Sequence, residues 1–267
     1  MPRATRKKSG TGIYHVMLRG INRQDIFEEC EDYVRMLTYL QHLLERYDEK
    51  GKRLPPLCTV YAYCLMSNHV HLLLRVYDED ISKMIKILAV KYAVYFNQKY
   101  SRSGHLFQDR FKSEPVDDET YFLTLMRYIH QNPLMAGMVK HVREYEWSSW
   151  GEYLGDIPLA LSVCDTKAVL ERIPLSDLKD LVETPLDGDV RCLDIQESSL
   201  ARMGDKELRQ FLRQRHVIDE PLKVQSMEKE QRNDIILSCL DKGAGLRQLS
   251  RITGVTYGVI YRLKGRR

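Results

Sequence analysis

The stretch around residues 56–76 restricts the fold of this 267-residue chain more than any other. It is a nearly unbroken aliphatic and aromatic run, interrupted by polar Ser67 and Asn68. Two strands, near 56–66 and 69–76, joined by a tight turn through Ser67-Asn68, satisfy that pattern. The second strand carries His69-Val70-His71, and its period of two puts both imidazoles on one face and Val70, Leu72 and Leu74 on the other. Further strands are expected near 11–20 and 105–116. Helices are expected near 30–50, 80–100 and 117–132. The first helix carries an apolar stripe through Met36, Leu40, Leu43 and Leu44, and the second one through Ile81, Met84, Ile85 and Leu88. The order β-α-β-β-α-β with a trailing helix predicts an α+β fold, a ferredoxin-like antiparallel sheet with helices on one face and the two histidines in a central strand.

Two imidazoles on one strand face make half of a metal site, because two ligands hold a divalent ion weakly and a third must come from another element. The trailing helix offers one. In Tyr121–Pro133, a helical pattern ended by proline, Tyr128 and Asn132 stand four residues apart and so share a face. A phenol and an amide carbonyl can then meet the same ion. Each residue alone has an ordinary structural use, and the weight lies in their combination on two strongly apolar elements.

Four separated motifs carry a family resemblance across roughly residues 11–155. They are Tyr14-His15-Val16-Met17-Leu18-Arg19-Gly20 with Arg23 and Phe27; Met66–Leu73 around the histidine pair; Ser103–Ser113, including Arg110 and Lys112; and Leu125–Pro133 with Ala136-Gly137. In that order they resemble the single-tyrosine HUH transposases (IS200-like) and, within them, the REP-associated tyrosine transposase branch. The resemblance implies that His69 and His71 bind the metal, with Asn132 at the third-ligand position and Gln131 as its competitor, and two imidazoles with an amide favour Mg²⁺ or Mn²⁺. It also implies that Tyr128 is the nucleophile, and that single-stranded DNA beside a hairpin repeat is cut and rejoined through a 5′-phosphotyrosine. Arg19, Arg23, Arg110 and Lys112 are candidate phosphate contacts by charge and by proximity to these motifs.

The net charge of +4 is modest, but its distribution is informative. Only basic charges precede Asp25 (Arg3, Arg6, Lys7, Lys8, Arg19 and Arg23), and only basic charges follow Asp241. Residues 176–200 lean acidic, which suggests two phosphate-binding surfaces and a spacer. The C-terminal run Leu246–Gly265, with Gly254 after a small residue four positions earlier, reads as a helix-turn-helix. Thr256, Tyr257, Arg262 and Lys264 are its candidate DNA contacts, and a helix near 228–242 completes a three-helix unit. The expected division is therefore 1–155 catalytic, 156–225 linker and accessory helices, and 226–267 helix-turn-helix, with Pro185-Leu-Asp-Gly188 the most linker-like point. No run reaches the ~18 apolar residues of a membrane span, and the basic N-terminus lacks a following apolar segment. A cytoplasmic protein without membrane contact, monomeric or homodimeric, is expected. The six cysteines show no C-x-x-C pairing, so free thiols are expected. Two other functional classes fit less of the pattern. One is a non-catalytic DNA-binding regulator acting through its helix-turn-helix, and the other a metallohydrolase that activates water without Tyr128.

Overall fold

The computed structural model describes residues 7–77, 80–108, 110–157, 162–185, 192 and 203–264. Its contacts group the chain into two compact units, residues 1–20 with 26–194, and residues 21–25 with 195–267.

The first unit runs β1 (Ile13–Arg19), α1 (Cys30–Leu44), β2 (Arg46–Tyr47), β3 (Arg53–Leu54), β4 (Cys58–Met66), β5 (His69–Val76), α2 (Ile81–Lys99), β6 (Lys112–Pro115) and α3 (Glu119–Met135). Its four-stranded sheet has the order β4-β5-β1-β6, with every neighbouring pair antiparallel. This is the expected ferredoxin-like arrangement, and β5 lies inside the sheet. The hairpin turns through Ser67-Asn68, as the interrupted apolar run requires.

Strand alternation divides the core between two faces. Val16, Leu18, Val70, Leu72 and Leu74 pack with Met36, Leu40, Leu88 and Tyr92 of the two crossover helices. Ile13, Ala62, Cys64 and Leu73 pack with Phe122, Leu125, Met126 and Ile129 of α3 on the opposite face. Asp32 fastens the crossover helices together. Its carboxylate accepts from the Glu28 and Glu29 amides ahead of α1, from the Tyr95 hydroxyl and Lys99 Nζ of α2, and from the Tyr100 hydroxyl just past its end.

Three boundaries differ from expectation. The first helix stops at Leu44 rather than near 50, because Asp48 Oδ1 accepts from the Lys50 and Lys52 amides and Gly51 takes φ 77°, closing a β2–β3 ribbon instead. The last strand is confined to Lys112–Pro115, and ahead of it Phe107 meets Gly20 only through an isolated bridge. The third helix passes Pro133 and ends at Met135, since a proline this close to the C-terminus removes only one intrahelical donor.

The segment after α3 folds back on the sheet. Leu65 N donates to Trp147 O at 2.9 Å and Cys64 bridges Ser148, which covers the outer edge of β4. Trp147 stacks on Tyr33, and Trp150 is fully buried beside His130 and Tyr153. The short helices α4 (Trp150–Leu154), α5 (Thr166–Leu170) and α6 (Leu175–Glu183) follow, with Val169, Leu178 and Val182 buried in the α3-side core. The described residues between 156 and 185 therefore belong to the first unit, where a linker was expected. The proposed linker point, residues 186–188, lies outside the described residues, as do Arg3, Arg6, Arg266 and Arg267.

The second unit contains α7 (Asp205–His216), α8 (Lys229–Asp241), α9 (Leu246–Thr253) and α10 (Tyr257–Lys264) around Leu208, Leu212, Val224, Ile236, Leu249, Ile252 and Ile260. It thus begins before residue 226 and adds α7 and the 3₁₀ segment Pro221–Ser226 to the expected three helices. Helices α9 and α10 are joined by a three-residue turn in which Gly254 takes φ 73°, and a Cβ there would come within 2.6 Å of the Gln225 side chain. All six cysteines are free, with Cys58, Cys64 and Cys239 buried and Cys30 exposed. No helix among the described residues is long and apolar enough to cross a membrane.

Candidate metal and nucleophile site

The β1–β5 register sets Arg19 opposite His69 and Met17 opposite His71, so His15, Met17, Arg19, His69 and His71 share the α3 side of the sheet. All three histidines are buried. Their ring nitrogens are used unequally. His69 Nδ1 lies 2.6 Å from Asn68 Oδ1. An amide oxygen only accepts, so His69 carries its proton on Nδ1. His71 Nδ1 lies 2.9 Å from His15 Nε2. The Nε2 atoms of His69 and His71 are buried and have no hydrogen-bond partner.

An unpaired buried polar atom costs about 1–3 kcal/mol. Two of them sit on rings whose centroids are 5.0 Å apart. Protonation is one way to use such nitrogens, and the surroundings oppose it. Burial, then the Arg19 charge, pushes His69 down to about 4, although contact with Asn132 works in the opposite direction. Burial, then the neighbouring His69 and His15, likewise holds His71 well below the usual histidine range. Both rings are neutral near pH 7, the state in which imidazole binds a metal.

Helix α3 begins at Asp118, whose carboxylate accepts from Tyr121 N at 2.7 Å, and its apolar stripe fixes which residues face the sheet. That phase brings Tyr128 edge-on to two of the histidines, with ring centroids 5.6 Å from His71 and 6.1 Å from His15. One turn later Asn132 Nδ2 donates to Tyr128 O at 3.0 Å, and its side chain lies beside His69. The back-bond occupies the amide nitrogen and leaves Oδ1 as the available ligand atom. Gln131 points elsewhere and donates from Nε2 to Val182 O and Thr184 O at 2.6 Å each. Among the described residues no group of three or more His, Cys, Asp and Glu side chains is set to hold a metal. The available donor set is therefore two neutral imidazoles and one carboxamide, which fits a divalent first-row ion or Mg²⁺.

The expected phosphate contacts separate. Arg19 lies on the histidine face, and Lys112, exposed and paired with Met17, occupies the same face at the sheet edge. Arg110 is exposed instead along a cavity of about 730 Å³ beside α2, on the other side of the sheet. Arg23, with φ 60°, closes the short 3₁₀ turn Ile21–Arg23. In the second unit Thr256, Tyr257, Arg262 and Lys264 are all exposed around α10, where Tyr257 stacks on Tyr261. Sequence reasoning missed His15 and Glu114. His15 is a histidine on the inward phase of β1, a signal present in the sequence, but its diagonal contact with His71 depends on a strand register that the sequence does not encode.

A tyrosine on a trailing helix, set against paired histidines of a ferredoxin-like sheet, is the arrangement implied by the HUH resemblance. The family model described as "Transposase IS200 like" matches residues 9–132. A REP-associated tyrosine transposase of Haemophilus influenzae is 30% identical over 127 residues, covering 43% of this chain and 70% of the relative. The chain belongs to the REP-associated tyrosine transposases, a family of DNA-processing enzymes. Among solved structures it is similar to a REP-associated tyrosine transposase bound to a REP hairpin, at 15% identity and a TM-score of 0.47, covering 73% of this chain and 96% of that one. It is also similar to a transposase of Deinococcus radiodurans, at 19% identity and a TM-score of 0.31, covering 49% and 97% respectively.

Proposed function

We propose that this protein cleaves and rejoins single-stranded DNA next to hairpin repeats, with Tyr128 as the nucleophile and His69, His71 and Asn132 holding a divalent ion, Mg²⁺ or Mn²⁺. The observation that carries the reading is the pair of buried, partnerless Nε2 atoms on the face that Tyr128 adjoins. When bound, the ion supplies charge to polarise the non-bridging oxygens of the scissile phosphate. The phenolic oxygen of Tyr128 attacks phosphorus, its proton passes to solvent, and the phosphorus–O3′ bond breaks with its electron pair leaving on O3′. The products are a 5′-phosphotyrosine and, after protonation, a free 3′-hydroxyl. Attack by another 3′-hydroxyl on the phosphotyrosine reverses the step and joins strands without external energy. Arg19 and Lys112, which lie on the same face, hold flanking phosphates in this reading. Tyr128 is 4% exposed and packs with the α3-side core, so the attack requires α3 to present its hydroxyl to the DNA strand.

The second unit supports a duplex contact. Tyr257, Arg262 and Lys264 on exposed α10, following a glycine-closed turn, match a recognition helix, and Thr256 stands at its start. Incubating the protein with Mn²⁺ and labelled hairpin oligonucleotides from its own gene flanks tests the central reading. Wild type is expected to form a covalent adduct that Tyr128→Phe abolishes while DNA binding persists. Cleavage surviving in Tyr128→Phe would instead indicate water activation, and binding without any wild-type adduct would indicate a regulator.

A further inference from the structure

We propose that His15 and Glu114 are positioning residues that fix the tautomer of His71, so that its Nε2 lone pair is presented to the metal. His15 is fully buried in β1, and its two ring nitrogens are both engaged. Nε2 lies 2.9 Å from His71 Nδ1, and Nδ1 lies 3.2 Å from Glu114 Oε1 of β6. Glu114 is itself held by the Tyr121 hydroxyl of α3. The direction of this chain follows from what each atom can do. An ionised carboxylate only accepts, so His15 Nδ1 donates to Glu114. With Nδ1 used as the donor to Glu114, His15 offers its Nε2 lone pair, and His71 Nδ1 donates to it. His71 Nε2 is left unprotonated. Asn68 imposes the same outcome on His69 through a single acceptor. Without such partners an imidazole in water favours the proton on Nε2, the tautomer that blocks this ligand atom. Fixing ligand tautomers through outer hydrogen bonds is worth about 10–100-fold in metal affinity.

The proposal rests on the metal reading above, so its test separates the two. Long-range ¹⁵N–¹H NMR of the metal-free protein near pH 7 is expected to show His71 protonated at Nδ1 only. Mn²⁺ binding by the full chain, followed by EPR without DNA, is expected to weaken about 10–100-fold in His15→Phe. His15→Gln, whose amide oxygen accepts from His71 and whose nitrogen donates to Glu114, is expected to stay within a few-fold of wild type. Glu114→Ala falls between them. Should His15→Phe not fold, the wild-type tautomer and the His15→Gln affinity still decide. A His71 protonated at Nε2, a doubly protonated His15, or a His15→Phe with undiminished Mn²⁺ affinity overturns the relay. Failure of the metal reading has a different signature, in which Mn²⁺ binding is absent from wild type or unaffected in His71→Ala.

Discussion

Residue by residue, the sequence revealed the histidines and left their partners hidden. His69 and His71 could be placed on one face because alternation in an apolar strand leaves no other solution. The choice between Gln131 and Asn132 could not be made, since neighbouring residues at a helix end differ by only a 100° rotation and the proline left the helix phase open. The structure turns Gln131 to the carbonyls of Val182 and Thr184 and sets Asn132 beside His69. Opposite phenotypes follow. Asn132→Ala is expected to weaken Mn²⁺ binding by at least about tenfold, with little change in unfolding midpoint. Gln131→Ala is expected to cost about 1–3 kcal/mol, because the Val182 carbonyl loses this donor while Thr184 O keeps Arg127, and to leave Mn²⁺ affinity intact. Titration of Mn²⁺ alongside urea unfolding checks both, and a reversal of the two phenotypes would move the third ligand to Gln131.

Elements with strong internal periodicity were foreseen within a residue or two, among them β5, α2 and the hairpin turn. The failures came where short-range chemistry overrode an apolar stripe. Asp48 and Gly51 cut the first helix short, and the polar stretch around Gly104 denied the last strand most of its length. Asp32 shows how much one side chain can do for two elements. Burial pushes its carboxyl up, but hydrogen bonds from Tyr100, Lys99 and the Glu28 and Glu29 amides outweigh it, so the group sits below its ordinary value. The folded protein thus binds fewer protons here than the unfolded chain. The stabilisation is complete above the ordinary carboxylate range and is lost as pH falls through that range to the lowered folded value. Asp32→Asn is expected to cost about 2 kcal/mol at pH 7 and to reduce the difference in stability between pH 7 and pH 3. Urea unfolding at the two pH values checks this, and an unchanged difference would deny Asp32 its part in acid unfolding.

At the level of the whole molecule, charge distribution was a poor guide to boundaries. The acidic stretch read as a spacer begins with α6, whose Leu178 and Val182 are core residues, because acidic surface positions say nothing about the apolar ones between them. The helix pair α9–α10 was legible from its glycine, whereas α7 belongs to the same core without any such signal. If α10 holds duplex phosphates, Arg262→Ala with Lys264→Ala is expected to lower the slope of log affinity against log salt by about 2. The adduct formed on single-stranded oligonucleotide should stay at the wild-type level. Fluorescence anisotropy across a salt series measures the first, and an unchanged slope removes α10 from the interface. The two-residue connection between β4 and β5 also governs how this protein can change over evolutionary time. One residue more or fewer there reverses the parity of β5 against its neighbour and delivers both imidazoles to the wrong layer. Substitutions along the strands can accumulate gradually, but the spacing from Met66 to His69 cannot drift by single steps, so descendants of this gene are free to vary in spelling and not in count.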